Sequence, residues 1–422
     1  MPLVKTLSAR QILNSRGDPT VEVEVILDND RSFISSCPSG ISRGTKEAIE
    51  ITDKDFSRFH GKEMTNAVKK IEEVLLTAVK GTNPIEQGMI DRKITDLDGT
   101  PNKANFGVNA ILPVSMAVAK AGAFLAKQHL FVHINKYLND SIIEMEDLKI
   151  GITDYKYKMP LPAMVLLEGG QHAQTNQPFQ EFLFIPYGSK DDTSFWEKLR
   201  FASETYHNLK ELLIAKGMYC GYGEEGGLVA ATENPTDALD LIMQAAEQLR
   251  LKPGHEFRLG LDVAGAVPNQ ETSSFEALSQ YFVGLANKYP LEILEDPFPE
   301  ESLQYWSELN KVLPEQTFII GDDLTVTNDK VLVEALRHRG IDGVIIKPNQ
   351  IGTITETIRV VKIAKSKGIK TIVSHRGGET NDDFIADLAV GIGADYIKTG
   401  GPSRGERVSK YNRLLQIDKM IS

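Results

Sequence analysis

Six short apolar segments in the second half of the chain each end in residues that can bind a metal, transfer a proton or hold an anion. In chain order these residues are Asp262, Glu295 with Asp296, Asp322 with Asp323, Lys347, His375 with Arg376, and Lys398. Carboxylates are the ligands that Mg²⁺ prefers, and lysine and histidine side chains can take up or release a proton. If the fold brought these residues together, they would form a site for proton transfer beside a bound metal.

The spacing of these residues predicts the elements that would position them. Successive segment ends lie 23 to 33 residues apart, about the length of one strand plus one crossover helix. Between two of them, Thr353 and Glu356 form a capping-box pattern that would begin a helix, and Gly368 would end it. Parallel strands that alternate with helices, with polar residues at their C-terminal ends, are typical of a (β/α) barrel. We therefore predict an active site at that face of the barrel.

The composition is typical of a soluble enzyme with more than one domain. The chain has 422 residues, 41% of them hydrophobic, and a net charge of −11 without a long run of lysine or arginine, which argues against nucleic acid as a partner. The two cysteines, Cys37 and Cys220, form no disulfide framework and fit a reducing compartment. No export signal and no continuous apolar run of membrane-spanning length is evident. We predict a cytoplasmic location and no membrane partner.

The N-terminal third has a different pattern. Val21, Val23 and Val25 alternate with acidic residues, which predicts a half-buried strand, and residues 31–37 would pair with it as a hairpin. Helical spacing follows over about 46–80, 85–97 and 108–137, where Pro113 should kink the last helix or mark its first turn. We therefore predict an α+β capping domain over 1–138, a linker over 139–158 and a (β/α)8 barrel over 159–422.

In its motifs the chain resembles the enolase family along nearly its whole length. The stretches that carry the resemblance occur in the family's order and are ARQILNSRGDPTVEVEV, PSGISRG, LDGTPNKANFGVNAIL, EGGQHAQTNQPFQEF, GYGEEGG, ILEDPF, GDDLTVTN, IIKPNQIGT, SHRGGET, IADLAVG, IKTG and RGERVSKYN. The resemblance implies an α+β cap on an eight-stranded barrel with an irregular start, and a homodimer or higher homo-oligomer. It also implies reversible dehydration of 2-phosphoglycerate to phosphoenolpyruvate with two Mg²⁺ ions, the second bound with substrate.

Three carboxylates and two lysines are candidates for the metal and the proton transfer. Asp262, Glu295 and Asp322 offer only oxygen ligands, which favours Mg²⁺ over zinc or copper, although each alone could also be a helix N-cap. Lys347 ends an apolar strand and is the predicted base, with a pKa lowered by burial beside metal ions. Lys398 matches the family's lysine that holds the substrate carboxylate, whereas a purely structural lysine at a strand end would be solvated. Glu295 and Asp322 also count among the predicted substrate contacts.

The resemblance assigns the remaining roles to loops. Glu225, in the turn from Gly223 to Gly227, matches the general acid that protonates the leaving hydroxide, and Ser39 matches the serine of a closing loop that reaches the second Mg²⁺. The remaining predicted substrate-binding residues are His172, Gln180, Glu181, Ser374, His375 and Arg376. Arginine suits a phosphate group because its planar fork binds two oxygens at once. Without the resemblance, a glycine-rich turn or one loop histidine would indicate an ordinary surface loop.

The chain departs from the family pattern close to these residues. The departures are Gly377 for the usual Ser, Glu168 for the usual Asn, Glu224 for the usual Asp, Gly405 for the usual Ser, and residues 264–268 for a Ser-Glu-Phe segment. The absent serine hydroxyl would remove a hydrogen bond to phosphate worth about 1.5–3 kcal/mol.

Two other functions therefore remain open. One is an enolase-like lyase for a related phosphorylated or phosphonylated carboxylate. The other is a non-catalytic role such as plasminogen binding through a C-terminal lysine, which the final residues Lys419 to Ser422 do not provide.

Overall fold

The N-terminal part of the molecule contains a three-stranded antiparallel sheet. The computed structural model describes residues 1–40, 44, 46–145, 148–190, 193–268 and 274–421. The strands β1 (Val4–Leu13), β2 (Pro19–Leu27) and β3 (Ser32–Ser36) lie in the order β1-β2-β3. The predicted hairpin of β2 and β3 is confirmed, with Val21, Val23 and Val25 fully buried. Strand β1 was not predicted, because its residues do not alternate cleanly between buried and exposed.

Helices cover one face of this sheet. They are α1 (Thr65–Lys70), which continues through a π-helical turn (Ile71–Leu75) into α2 (Leu76–Val79), then α3 (Gln87–Asp98), α4 (Val108–Leu125) and α5 (Leu130–Asp140). The predicted helix over 46–64 is wrong, since this segment contains only the short 3₁₀ turn Phe59–Gly61. Asp53 instead accepts hydrogen bonds from the first backbone N–H groups of α1, Thr65 and Asn66. Such side-chain acceptors compete with helix formation in their own segment and stabilise the start of the next helix.

Helix α4 joins the two parts of the molecule. It packs against β2 and β3 on one side and against the barrel turn Pro348–Gln350 on another. It is also long and apolar enough to cross a membrane by length and hydropathy, but 83% of that window is buried inside the fold, which accounts for its apolar character. Pro113 lies in the second turn, and the helix continues beyond it, so of the two predicted alternatives the first-turn position is wrong and the kink stays a prediction.

The rest of the chain forms a closed (β/α)8 barrel. A short hairpin of β4 (Ile143–Met145) and β5 (Leu148–Ile150) comes first, inside the segment predicted as a linker. The eight barrel strands are β6 (Leu161–Pro162) with β7 (Met164–Glu168), which form one strand interrupted at Ala163, then β8 (Glu181–Pro186), β11 (Phe257–Asp262), β12 (Leu291–Glu295), β13 (Phe318–Gly321), β14 (Gly343–Ile346), β15 (Lys370–Ser374) and β16 (Tyr396–Lys398). The side hairpin is β9 (Tyr219–Tyr222) with β10 (Leu228–Ala230). Because β6 pairs with β16 while β7, which follows β6 in the chain, pairs with β8, the sheet closes on itself.

The first barrel strands do not follow the parallel pattern. Strand β8 runs antiparallel to both β7 and β11, whereas β11 to β16 are parallel to their neighbours. This is the irregular start that the resemblance implied. As a consequence, the first residue of β8, Glu181, lies beside the last residues of β7 and β11, Glu168 and Asp262. An antiparallel strand thus adds one more carboxylate to the C-terminal face of the barrel.

Helices surround the barrel and apolar side chains fill it. The helices are α6 (Phe195–Ala215), α7 (Pro235–Gln248), α8 (Phe275–Lys288), α9 (Leu303–Asn310), α10 (Asp329–Arg337), α11 (Ile354–Ser366), α12 (Phe384–Gly391) and α13 (Gly405–Ile421). The predicted capping box is confirmed, because the Thr353 hydroxyl accepts the backbone N–H of Glu356 at 3.1 Å. Inside the barrel, one apolar cluster includes Val165, Leu183 and Ile293. Its packing supports the strand ends that carry the charged residues.

Candidate active site

A small cavity lies at the C-terminal ends of the barrel strands. Its lining residues are Glu47, His172, Gln180, Glu181, Glu225, Asp262, Ala264, Asp296, Asp322, Asp323, Lys347, Ser374, His375, Arg376, Gly377 and Lys398. Of the thirteen residues predicted for the site, this lining omits two, Glu295 and Ser39. The fold therefore brings residues from strand ends far apart in sequence into one polar cavity.

Lys398, at the end of β16, lies among three carboxylates. Its Nζ atom is 3.0 Å from Glu181, 3.2 Å from Asp262, and 2.9 and 2.8 Å from the two oxygens of Glu295. Burial lowers the pKa of Lys398, but the carboxylates outweigh burial and hold it well above its ordinary value. Glu295 is fully buried behind the lysine, and burial together with Asp262 raises its pKa to about 8. Lys398 is therefore a fixed cation that partly neutralises an acidic cluster.

Lys347 follows β14 and contacts the carboxylate of Asp322. The other Asp322 oxygen accepts the Gln350 amide at 3.0 Å. Burial lowers the pKa of Lys347, but the Asp322 carboxylate outweighs this effect and the pKa is raised. The predicted lowering of the Lys347 pKa is therefore wrong for this arrangement of side chains, because Asp322, a predicted metal ligand, is paired with Lys347, the predicted base.

The acidic residues around Asp322 could hold a hard cation. Carboxylate oxygens of Asp296, Asp322 and Asp323 lie within 4.8 Å of one another, so this group is tighter than the predicted set of Asp262, Glu295 and Asp322. Burial and the Asp322 charge raise the pKa of Asp323 to about 7. Closely spaced carboxylates that offer only oxygen donors fit a divalent cation such as Mg²⁺.

Asp296 has a positioning role that the sequence did not reveal. Its φ of +42° is uncommon for a residue other than glycine. The carboxylate accepts the backbone N–H groups of Asp322 and Asp323, each at 2.9 Å. Asp296 thus fixes the turn that carries Asp322. Its place beside Glu295 was visible in the sequence, but these contacts from a neighbouring strand were not.

On the opposite side of the cavity, His172, Glu181 and Glu225 form a second tight group. The Glu225 carboxylate is 3.6 Å from Nδ1 of His172 and 3.3 Å from Nε2 of His375. Burial raises the pKa of both carboxyls. For Glu225 the two histidines outweigh burial and hold its pKa well below the ordinary value, whereas the pKa of Glu181 lies well above it despite Lys398. The two carboxyls are thus arranged to share a proton.

His375 is held in one protonation state by Arg407, which sequence reasoning did not single out. Burial lowers the pKa of His375 to about 4, so the ring is neutral near pH 7. Nδ1 of His375 lies 2.7 Å from a guanidinium nitrogen of Arg407, which can only donate. The ring proton is therefore on Nε2, facing Glu225. Arg407 also donates to the backbone oxygens of Arg376, Gly377 and Glu224, and so ties two loops of the site together.

The predicted phosphate-binding residues lie at the junction with the N-terminal domain. The Arg376 guanidinium donates to Glu47 at 3.0 and 3.2 Å and to Asn349 at 3.0 Å. Ser374 donates to the backbone oxygen of His375 at 3.1 Å. The Glu47 carboxylate of the N-terminal domain thus accepts from N–H groups of Arg376 that an anionic substrate group would need.

Ser39 is near this junction without facing the cavity. Its backbone exchanges hydrogen bonds with Gly378 at 2.8 and 2.9 Å, which ties the loop to the segment after Arg376. In the loop predicted to close over the site, residues 41–43 lie outside the described residues. Whether Ser39 contacts a metal therefore stays a prediction.

Comparison with known proteins identifies relatives for both parts of the chain. A family model described as the N-terminal domain of enolase matches residues 4–134. A model described as the C-terminal TIM barrel domain of enolase matches residues 156–422. A protein named enolase from Mycobacteroides abscessus is 41% identical over 430 residues, covering 100% of this chain and 95% of that protein.

Proposed function

The chain belongs to the enolase family and is a carbon–oxygen lyase, and on that premise we propose that it catalyses the reversible dehydration of 2-phosphoglycerate to phosphoenolpyruvate with Mg²⁺. The observation that carries the proposal is that Lys347 and Glu225 line one cavity in separate groups, Lys347 paired with Asp322 and Glu225 beside Glu181. One group can remove a proton while the other delivers one to the leaving hydroxide.

The base in this proposal is Lys347. It would accept the proton from the carbon next to the substrate carboxylate, which requires that its own ammonium group first lose a proton. Asp322 favours that ammonium group in the pair described above. We propose that Asp322 serves as a metal ligand during turnover, so that it no longer supports the charged form of Lys347.

The acid is the pair formed by Glu225 and Glu181. As the carbon–oxygen bond breaks, Glu225 would donate a proton to the departing hydroxide, and Glu181 could replace that proton through their shared contact. Neutral His375 would then contribute only a hydrogen bond from Nε2 and no charge that competes for the proton.

Bound Mg²⁺ would supply the positive charge that stabilises the second negative charge on the substrate carboxylate. Asp262, Glu295 and Asp322 are the proposed ligands of the first ion, and Ser39 is proposed for the second ion, which binds with substrate. Lys398 would bind the substrate carboxylate. Residues proposed to bind the rest of the substrate are His172, Gln180, Ser374, His375 and Arg376.

An enolase-like lyase for a related phosphorylated or phosphonylated carboxylate is the alternative. It is favoured by Gly377, which lines the cavity where a phosphate-binding serine is usual. Gly377→Ser separates the two functions. If 2-phosphoglycerate is the native substrate and the Gly377 site is already compensated, the variant should gain less than about twofold in kcat/KM. A gain of about tenfold, equivalent to about 1.4 kcal/mol, would indicate another native substrate.

The proposed cellular setting follows from the reaction. We propose a cytoplasmic enzyme of glycolysis and gluconeogenesis that works as a homodimer or higher homo-oligomer, without nucleic acid or membrane partners. The domain boundaries at 138 and 158 remain part of this proposal.

The test is the ultraviolet absorbance of the enol product after purified protein is mixed with 2-phosphoglycerate. We expect a rise with Mg²⁺, no rise with excess EDTA, and no rise with Lys347→Ala in Mg²⁺. A folded wild-type protein that gives no rise in Mg²⁺ would overturn the proposed reaction. A matched control is Lys136→Ala, which removes an exposed lysine in α5.

A further inference from the structure

Glu168 is a buried carboxylate directly behind the glycine-rich turn that carries Glu225. It ends β7, only 2% of its surface is exposed, and the described residues that line the cavity do not include it. A carboxylate in such a place costs free energy unless other groups satisfy it. Its contacts therefore indicate what it does.

Those contacts are to the backbone of the turn. One Glu168 oxygen accepts the N–H of Gly227 at 2.6 Å, and both oxygens lie within 3.1 Å of the N–H of Glu225. Hydrogen bonds from backbone N–H groups to a carboxylate are stronger than those between neutral groups. Glu168 thus binds the backbone of the predicted general acid itself.

The glycines of the turn fit around this carboxylate. A β-carbon at Gly223 would lie 2.2 Å from one Glu168 oxygen, and one at Gly227 would lie 3.0 Å from the other. Neither glycine has a positive φ, so close packing excludes a side chain here, against Glu168 at Gly223 and against Val165 and Glu168 at Gly227. The turn and the carboxylate therefore form one packed unit.

Other residues fix the carbonyl groups of the same turn. Arg407 donates to the Glu224 oxygen at 3.1 Å, the Gly401 N–H donates to the Glu225 oxygen at 2.9 Å, and the Tyr206 hydroxyl donates to the Gly226 oxygen at 3.0 Å. Glu168 complements them by accepting from the N–H groups. Hydrogen bonds to both the carbonyl groups and the N–H groups therefore fix the turn.

We propose that Glu168 is a positioning residue for Glu225, which holds the acid's backbone in place and whose negative charge favours a proton on the Glu225 carboxyl. The proposal rests on the proposed function, because it concerns the proton that Glu225 would deliver. The usual family residue at this position, Asn, carries no charge, so this second effect would be specific to the present chain.

The surroundings of Glu168 are consistent with this role. The charged and titratable groups that act on it include Glu225 and Arg407, and it acts in turn on Tyr206. Burial and the Glu225 charge raise the pKa of Glu168 and outweigh the two backbone N–H groups and Arg407, which lower it, so that the pKa lies at about 8. Its charge would therefore develop as the pH rises through about 8, and loss of the proton shared by Glu181 and Glu225 would limit dehydration on the alkaline side.

Two substitutions of Glu168 distinguish its effect on the position of Glu225 from the effect of its charge. Glu168→Gln keeps the length of the side chain, but it removes the charge and replaces one acceptor with an amide group that cannot accept an N–H. Glu168→Asp keeps the charge on a shorter arm. Glu224→Gln is the control for charge elsewhere in the turn, because the Glu224 side chain is 40% exposed and its charge is screened by solvent.

The first measurements are the pH profiles of kcat and kcat/KM for 2-phosphoglycerate. In both Glu168 variants we expect kcat to fall about 10- to 100-fold with KM little changed, because the acid is misplaced while the substrate contacts remain. The alkaline limb should move to lower pH by about one unit in Glu168→Gln, stay in place in Glu168→Asp, and move little in Glu224→Gln.

The second measurement is hydrogen exchange of the backbone amides of residues 223–227, which does not depend on turnover. We expect exchange at least about tenfold faster in Glu168→Gln than in wild type, with unchanged exchange in the barrel strands. Unchanged turn exchange, or unchanged kcat and pH profile in an active enzyme, would overturn the proposal. If wild type did not turn over 2-phosphoglycerate, the proposed reaction would fail, and the exchange data alone would decide whether Glu168 positions the turn.

Discussion

The two sides of the cavity manage buried charge in different ways. On what we call the lysine side, Lys347 and Lys398 offset the carboxylates of Asp262, Glu295 and Asp322 by direct ion pairs. On what we call the loop side, Glu225 lies beside the neutral ring of His375, the ring of His172 and another carboxyl, Glu181.

The difference indicates a division of work. Carboxylates paired directly with cations suit metal binding and recognition of a charged substrate. Two buried carboxyls in contact keep a proton between them, which suits proton delivery. Glu181 belongs to both arrangements, since it contacts Lys398 and faces Glu225. Proton transfer between Glu181 and Glu225 on the loop side can thus respond to the charge around Lys398 on the lysine side.

Removal of Lys398 should have the largest effect on stability. Lys398→Ala would leave Glu181, Asp262 and Glu295 buried together without their common cation. We expect a loss of about 3–5 kcal/mol in the free energy of unfolding, measured by urea denaturation at pH 7. Lys136→Ala, at an exposed pair, should have a small effect. A Lys398→Ala protein as stable as wild type would show that the carboxylates do not need the lysine.

Removal of the acid should affect turnover and not stability. Glu225→Gln keeps the size of the side chain but cannot donate a carboxyl proton. We expect kcat to fall about 10²- to 10⁴-fold in the dehydration direction, while Glu224→Gln keeps kcat near the wild-type value. Steady-state kinetics with an unfolding control would check this. A Glu225→Gln enzyme with near-normal kcat would move the acid role to Glu181.

Substitution of Glu47 tests how much the N-terminal domain stabilises Arg376, a predicted phosphate-binding residue. Its carboxylate forms a buried ion pair with Arg376. Glu47→Gln should lower the free energy of unfolding by about 1.5–3 kcal/mol, because a hydrogen bond between charged groups becomes a weaker one. Thermal and urea unfolding would measure it. An unchanged stability would indicate that Arg376 does not need the Glu47 carboxylate in the absence of substrate.

An ion pair outside the cavity provides a reference for the size of these effects on stability. Lys120 of α4 pairs with Asp382 at 2.9 Å. Burial raises the pKa of Asp382, but Lys120 outweighs burial and the pKa is lowered. A lowered folded-state pKa means that the stabilisation is present above the unfolded value, about 3.9, and is lost as the pH falls through the folded value. Asp382→Asn should therefore cost about 1 kcal/mol at pH 7 and progressively less as the pH falls below about 3.9, measured by urea unfolding over this pH range. A cost that does not depend on pH would contradict the ionic account.

The lysine side could be predicted from sequence more completely than the loop side. Lys347 and Asp322 directly follow short buried strands, and Asp262 and Lys398 end theirs, so their meeting at one face follows from a parallel barrel. The pairing of Lys347 with Asp322 was not predicted, because it depends on side-chain distances across neighbouring strands.

The loop side depends on features with weak sequence signals. The antiparallel direction of β8 places Glu181 in the site, and no local pattern in the sequence predicts that direction. Glu168 was visible only as a departure from the family pattern, since its partners lie 57 and 59 residues later in the chain. Arg407 lies in the first turn of a helix of ordinary composition, and its role follows only from contacts across the fold. Non-local hydrogen bonds of this kind leave no periodic pattern for sequence reasoning to detect.

The division of work between the two sides can be tested by exchange of the hydrogen at carbon 2 of 2-phosphoglycerate with solvent deuterium, followed by NMR in the presence of Mg²⁺. Proton removal by Lys347 predicts that Glu225→Gln still catalyses this exchange while its dehydration is severely impaired, and that Lys347→Ala catalyses neither. Exchange retained by Lys347→Ala, or lost in a folded Glu225→Gln protein, would contradict the assignment of base and acid to opposite sides of the cavity.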